Sequence, residues 1–338
     1  MPFAPTRSSL VIVAAATLLH ACALTENDTS LHSFANQTVR IIVGFSPGGN
    51  YDIHARVMAN HLGRHLPGHP AVVVENMPGA GGKVAANYLA RVARPDGLTI
   101  AHLAETNAAD AVESDLMGRL LILGSPAPIV PVFVFSSQSG IASVDDWRRA
   151  KRPPRIASSG PGASTFVVPH LAKRALGLPM QIVSGYSGSP EMRLALEGGE
   201  VDGICLNAEV VKATIDATPN ARAVLRFSNV PVAGLDPPDA MSLATGADAR
   251  ALLETGVYAI GPLSRFYAAP RNIPAERAAL LREGLARTFA DREFLAAAAT
   301  AGLTIAPVSA DVIEEQLRLI AARRQVLDEI RSILSSGR

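Results

Sequence analysis

Short apolar runs alternate along the chain with amphipathic stretches, and several of the apolar runs end in glycine. From residue 39 the pattern predicts a buried strand over 40–45, a helix over 51–66, a strand over 71–75, a helix over 83–93 and a strand over 98–103. Within the first helix Ile53, Val57 and Leu62 share one side, while Arg56, Asn60 and Arg64 follow a polar stripe. Strands alternating with helices predict a parallel α/β lobe. A second set follows: a strand over 131–135, a helix opened by Ser143-Val-Asp-Asp-Trp147, a strand over 155–158, a helix over 166–176 with Pro169 in its early turns, and a strand over 181–184. Ser189-Pro-Glu191 supplies an N-cap, a first-position proline and a first-turn acid, and Gly198-Gly199 stops that helix before a strand over 201–206. Beyond an irregular loop over 231–238, helical patterns cover 274–289, 291–301 and 310–334, with capping signals at Pro274-Ala-Glu276 and Ser309-Ala-Asp311.

The junctions carry the candidate chemistry. Ser46-Pro-Gly-Gly-Asn-Tyr-Asp52 and Met77-Pro-Gly-Ala-Gly-Gly82 follow neighbouring strands of the first set, and Gly160-Pro-Gly-Ala-Ser-Thr165 and Tyr186-Ser-Gly-Ser189 follow strands of the second. A glycine turn is often only an economical connection. Four of them at the carboxyl ends of parallel strands, where α/β sheets bind ligands, present backbone N–H groups at helix starts as anion sites without charged side chains. Lys83 at the rim is the one cation near them. Two lobes so equipped suit a ligand with a carboxylate at each end. Asp52 reads either as a first-turn acid stabilising its helix by roughly 1 kcal/mol or as a group selecting a ligand hydroxyl, ammonium or protonated carboxyl. Tyr51 reads as a surface residue or, facing the cleft, as a partner for a larger or aromatic acid.

Composition narrows the function. The chain has 338 residues, 48% of them apolar, and can fill two lobes. Its net charge of +1 offers no field for nucleic acid or an anionic membrane, and one tryptophan gives no stacking platform. Arg7, the apolar run over 10–19 and the small residues Ala21 and Ala23 have the build of a signal peptide over 1–23. Leu19-His-Ala-Cys22 resembles a lipobox in which Cys22 would take a lipid, although His20 departs from the usual small residue, and 24–37 would then be a polar tether. Cys205 is left without a disulfide partner, and no spacing of cysteines fits a redox or metal motif.

The succession of Phe45-Ser-Pro-Gly-Gly-Asn-Tyr-Asp52, Val72-Val-Val-Glu-Asn-Met-Pro-Gly-Ala-Gly-Gly82 and Pro95-Asp-Gly97 before an apolar strand resembles the substrate-binding proteins of tripartite tricarboxylate transporters, the Bug family. The resemblance implies a periplasmic-binding-protein type II clamshell: two lobes, each a mainly parallel sheet flanked by helices, joined by two crossover segments. It implies a first lobe over 38–137 plus 259–338, a second over 138–258, and a tail that returns to the first. It also implies capture of a small di- or tricarboxylate or aromatic acid for a membrane permease, without catalysis or cofactor, by a periplasmic monomer; a sensor feeding a signalling partner is the alternative. Carried over residue by residue, the ligand site is Ser46, Gly48, Gly49, Asn50, Tyr51 and Asp52, then Gly81, then Gly162, Ser164 and Thr165, then Tyr186 and Ser187. Asn50-Tyr51 stands in place of a smaller pair, the third turn lacks a usual serine, and Pro169 interrupts the helix after it. These departures bear on which acid is bound.

Enzyme motifs fail on inspection. Gly185-Tyr-Ser-Gly-Ser189 lacks the closing glycine of a nucleophile elbow, and no acid and histidine follow it to complete a triad, so a hydrolase or isomerase is the weaker alternative. Pro78-Gly-Ala-Gly-Gly-Lys83 has Met77 where a phosphate loop needs its first glycine and Val84 where it needs Ser or Thr; Val84 also breaks a dinucleotide fingerprint. His61 and His65 stand four apart, as metal ligands on a helix do, but no acidic ligand follows at a suitable spacing, and an exposed polar face is expected there.

Overall fold

The computed structural model describes residues 34–336 apart from 106–107, 114, 162, 218–220, 229–231 and 233. The signal peptide, Cys22 and most of the tether expected from the sequence therefore lie outside the described residues, as does Gly162. Strands β1 (Thr38–Val43), β2 (Ala71–Asn76) and β3 (Thr99–Leu103) alternate with helices α1 (Asn50–Leu62) and α2 (Lys83–Arg91). Two short helices, α3 (Ala108–Glu113) and α4 (Asp115–Gly118), lead to β4 (Leu120–Ser125). The chain then crosses to β5 (Pro131–Ser136), α5 (Val144–Arg148), β6 (Arg155–Ser158), α6 (Ser164–Leu176), β7 (Gln181–Ser184), α7 (Ser189–Glu197), β8 (Gly203–Asn207), α8 (Ala208–Ala217) and β9 (Ala221–Arg226). Helices α9 (Ala240–Leu243) and α10 (Ala247–Leu253) precede a second crossing to β10 (Phe266–Pro270), and α11 (Ala275–Ala290), α12 (Arg292–Thr300), β11 (Val308–Ser309), α13 (Ala310–Ala321) and α14 (Arg324–Ser336) follow.

Two sheets result, ordered β11-β4-β10-β3-β1-β2 and β7-β6-β8-β5-β9. Each contains one strand that enters directly from a crossing. β5 starts beside the last residue of β8, with Pro131 opposite Asn207, and β10 starts beside the end of β3, with Phe266 opposite Leu103. Arriving at the carboxyl ends of the parallel strands, both must run antiparallel to their neighbours. The two crossing segments lie side by side, with Ile129 N–H donating to Gly261 O at 3.1 Å.

The domain division expected from the sequence needs two corrections. Strand β5, assigned with 131–137 to the first lobe, hydrogen-bonds to β8 and β9 and so belongs to the second sheet. The pattern over 310–334 breaks after Ala321, and α14 packs on α6 of the second lobe, where Arg174 meets Glu329 at 2.9 Å, and on α3, where Arg331 meets Glu113 at 2.8 Å. The C-terminal helix is thus a third strap between lobes. Helix α6 runs unbroken through Pro169 rather than being interrupted by it.

Candidate functional site

Four helices start from the glycine turns at the carboxyl ends of parallel strands: α1 after β1, α2 after β2, α6 after β6 and α7 after β7. Their N-cap residues are Gly49, Gly82, Ala163 and Gly188, and none makes a side-chain cap bond; Ser189, expected as the N-cap of α7, is instead its first helical residue. Elsewhere Ser143, Asp291 and Ser309 cap α5, α12 and α13 with their side chains. Helices α9, α10 and α11 also lack side-chain caps, so what sets these four starts apart is their place, with uncapped first-turn N–H groups at the carboxyl ends of parallel strands, where α/β sheets bind ligands.

The first two turns are built against each other. A Cβ on Gly44 would stand 2.8 Å from the Cα of Gly82, and Gly82 itself has φ +93° with Phe45 against it. Gly48 adopts φ +77°, a left-handed conformation natural to glycine, over open space. Asp52 holds this shape from below. Its Oδ2 accepts from Gly48 N–H at 2.8 Å and Arg56 Nε at 2.8 Å, and its Oδ1 from Asn76 Nδ2 at 2.9 Å, which also donates to Phe45 O. Burial works against its ionisation, but the donors from Arg56, Gly48 and Asn76 outweigh it and hold the carboxyl below its ordinary value.

The other expected site residues divide by what they touch. Ser46, Gly48 and Gly49 are exposed at the first turn, Gly81 lies in the 3-10 turn before α2, and Ser164 is half-buried as the first residue of α6. Thr165 Oγ1 accepts from Ser159 N–H at 3.0 Å. Tyr51 stacks on Phe45 with centroids 4.1 Å apart and donates its hydroxyl to Ser264 O in the second crossing segment; burial pushes its pKa up to about 12. Tyr186 donates to Glu200 Oε1 at 2.6 Å, and Ser187 gives both its N–H and its hydroxyl to Glu191 Oε2 at 2.6 Å. Asn50 reaches the opposite lobe, donating to Glu209 Oε2 at 3.3 Å.

Glu209 and, Asn50 apart, its partners were not among the expected residues. Arg265, 1% exposed, donates from both terminal nitrogens to Glu209 Oε2 at 3.2 Å and from one to His54 Nε2 at 2.8 Å. Burial first, then the Arg265 charge, hold His54 neutral, and the same two causes bring His102 down to about 3. Asn207 and the Thr304 N–H also donate to Glu209, at 2.9 and 2.6 Å. The one readable signal was Arg265 itself, the only charge in an otherwise uncharged stretch from 256 to 270. A cavity of about 570 Å³ lies beside this group on the hinge side, walled by Ile129, Val130, Phe227, Val257 and Tyr258, and none of the four turns lines it.

A family model described as tripartite tricarboxylate transporter family receptor matches residues 54–228, more than half of the chain. BugT of Bordetella pertussis is 29% identical over 213 residues, covering 60% of this chain and 61% of its own. The chain spans about three fifths of the length of the curated relatives it matches. Among solved structures, an R. palustris protein with adipate superposes with a TM-score of 0.66 at 21% identity, covering 87% of this chain and 97% of its own. MatC from Rhodopseudomonas palustris with bound malate gives 0.63 at 20%, covering 88% and 98%. At these identities the structural likeness shows the two-lobed fold.

Proposed function

The chain belongs to the tripartite tricarboxylate transporter receptor family, and from that membership and the cleft geometry we propose that it is an exported solute-binding protein capturing a small dicarboxylate for a membrane permease. The observation that carries the reading is the set of four helix starts, α1, α2, α6 and α7, left without side-chain caps at the facing strand ends. Each helix start favours an anion by roughly 0.3–1 kcal/mol, and converging N–H groups add hydrogen bonds. Backbone donors are the chemistry on offer. Arg265 is answered by Glu209, and Lys83 by Asp110 at 2.7 Å, so neither guanidinium nor ammonium is left over for the ligand.

The dicarboxylate is favoured over an aromatic acid because Tyr51 spends its ring on Phe45 and its hydroxyl on Ser264. Relatives of the same fold hold adipate and malate, both with two carboxyl groups. Hydrolysis finds no support at Ser187, whose hydroxyl faces the carboxylate of Glu191 rather than an imidazole. Titration calorimetry with adipate and malate, on the wild type and on Gly49→Glu, tests the proposal. The added carboxylate should fill the α1 anion site and abolish binding while the melting temperature is kept. Affinity unchanged by Gly49→Glu, or no response to any dicarboxylate, would sink it.

A further inference from the structure

At the end of α1 remote from the cleft, three metal-coordinating groups meet. His61 lies in the last turn of α1, Asp291 N-caps α12 and Glu293 follows in its first turn. One ligand atom from each lies within 4.8 Å of the others. His61 is 9% exposed and sets its ring edge-on to Phe294, with centroids 5.8 Å apart, so its imidazole is held in place. Its Nδ1 accepts from the Arg64 guanidinium at 3.2 Å. A guanidinium only donates, so Nδ1 is the unprotonated nitrogen and its lone pair points at the Arg64 head. The same head donates to Glu293 and stands 3.7 Å from Asp291 Oδ2.

A cation already sits where the three donors converge, and it is a replaceable one. We propose that this corner binds a divalent first-row transition metal of the Zn²⁺ type through His61 Nδ1, Asp291 Oδ2 and the Glu293 carboxylate, with Arg64 swung into solvent and water in the fourth position. Asp291 is set for the task. Its Oδ1 caps α12, accepting from Glu293 and Phe294 N–H at 2.8 and 3.4 Å, and its Oδ2 is fixed by His65 Nε2 at 2.7 Å, the kind of outer contact that orients a metal-binding carboxylate. Bond lengths of about 2.0–2.2 Å bring tetrahedral donors to about 3.5 Å apart, a small contraction from the present spacing. The side chains that must move, Glu293 at 72% and Arg64 at 42% exposure, are free to do so. One imidazole with two carboxylates suits zinc and its neighbours better than the all-oxygen shells of calcium or magnesium. Two carboxylates balance the charge of the metal once Arg64 leaves. The spacing of His61 and His65 alone lacked an acid; folding supplies it from the opposite end of the chain.

Calorimetry of the chelator-treated full chain with ZnCl₂, and visible absorption with CoCl₂, test this. One saturable site is expected, weakened roughly tenfold or more by His61→Ala and by Glu293→Gln, and tightened by Arg64→Ala, which removes the competing cation. Bound Co²⁺ should show d–d bands that His61→Ala removes. Glu293 is a surface residue, so Glu293→Gln keeps the test valid if His61→Ala misfolds. Wild-type affinity in a folded His61→Ala or in Glu293→Gln, or no saturable binding by wild type and Arg64→Ala alike, overturns the proposal.

Discussion

Glu209 at the start of α8 reaches across the cleft to Arg265 in the second crossing segment, its Oε2 3.2 Å from both terminal guanidinium nitrogens. The contact joins the lobes, because Asn50 and the Thr304 N–H of the first lobe donate to the same carboxylate. A buried pair of this kind gains little net stability, but removing one partner strands the other. Glu209→Ala should therefore lower the unfolding free energy by about 3 kcal/mol, toward the lower end for a stranded buried charge because opening rehydrates Arg265. Glu209→Leu combined with Arg265→Met should recover part of that loss, the remainder reflecting the Asn207 and Thr304 N–H donors left without their acceptor. Urea denaturation of the single and double variants decides it: equal destabilisation would mean the pair acts through shape rather than charge.

Asp202 makes an acid-sensitive anchor in the second lobe. Arg152 grips both its oxygens at 2.7 and 2.8 Å, and the Arg155 N–H donates at 2.7 Å. Burial opposes ionisation, but these donors outweigh it and hold the carboxyl well below the usual carboxylate range. A depressed folded pKa stabilises above the unfolded value of about 3.9 and loses that contribution as the pH falls through the folded one. Asp202→Asn should cost about 2 kcal/mol at neutral pH, from lost charge-assisted hydrogen bonds, and should flatten the fall in stability below about pH 4. Melting curves from pH 7 down to acid check both; a variant that keeps the full acid-induced fall would place that sensitivity elsewhere.

The legible parts of this chain were those whose signals are local. β1, β2, β6 and β7 each run into a turn rich in glycine, and Ser309 announces a helix start that its bond from Val312 N–H bears out, whereas Pro274 precedes α11 without a side-chain cap bond. Strands β4, β9 and β10 went unread. β10 is Phe-Tyr-Ala-Ala-Pro, buried on both faces, so it lacks alternation, and its partners β3 and β4 lie more than a hundred residues earlier. Separation along the chain, here 56 residues, also hid Glu209 and Arg265, whose meaning depends on meeting each other. Tyr186 and Asp52 were legible as residues of the turns, yet not their bonds to Glu200 and to Gly48, Arg56 and Asn76, which only the folded loops supply.

The close approach of the first two turns makes a separate test. Gly44→Ala would press a methyl group within 2.8 Å of the Gly82 backbone, which has no flexible side chain to yield, so the turns must part. Gly48→Ala meets nothing within 4 Å and costs only its left-handed conformation, about 1 kcal/mol. Gly44→Ala should thus lower both the melting temperature and dicarboxylate affinity, and Gly48→Ala chiefly the melting temperature. Equal losses of affinity in the two would argue against a site formed jointly by the turns.

Tyr51 distinguishes the two readings its position allowed. Stacked on Phe45 and donating to Ser264 O, it ties the first turn of α1 to the second crossing segment. Tyr51→Phe keeps the stack and leaves that carbonyl without its donor, a loss of about 1 kcal/mol. Dicarboxylate affinity should stay within about twofold, since the ring remains and a change of a few tenths of a kcal/mol is all that loosening one strut transmits. Calorimetry beside a urea titration separates the outcomes. A stability loss with affinity kept assigns Tyr51 to the hinge, whereas a tenfold weaker affinity with stability kept would put its hydroxyl on the ligand and reopen the aromatic acids as substrates.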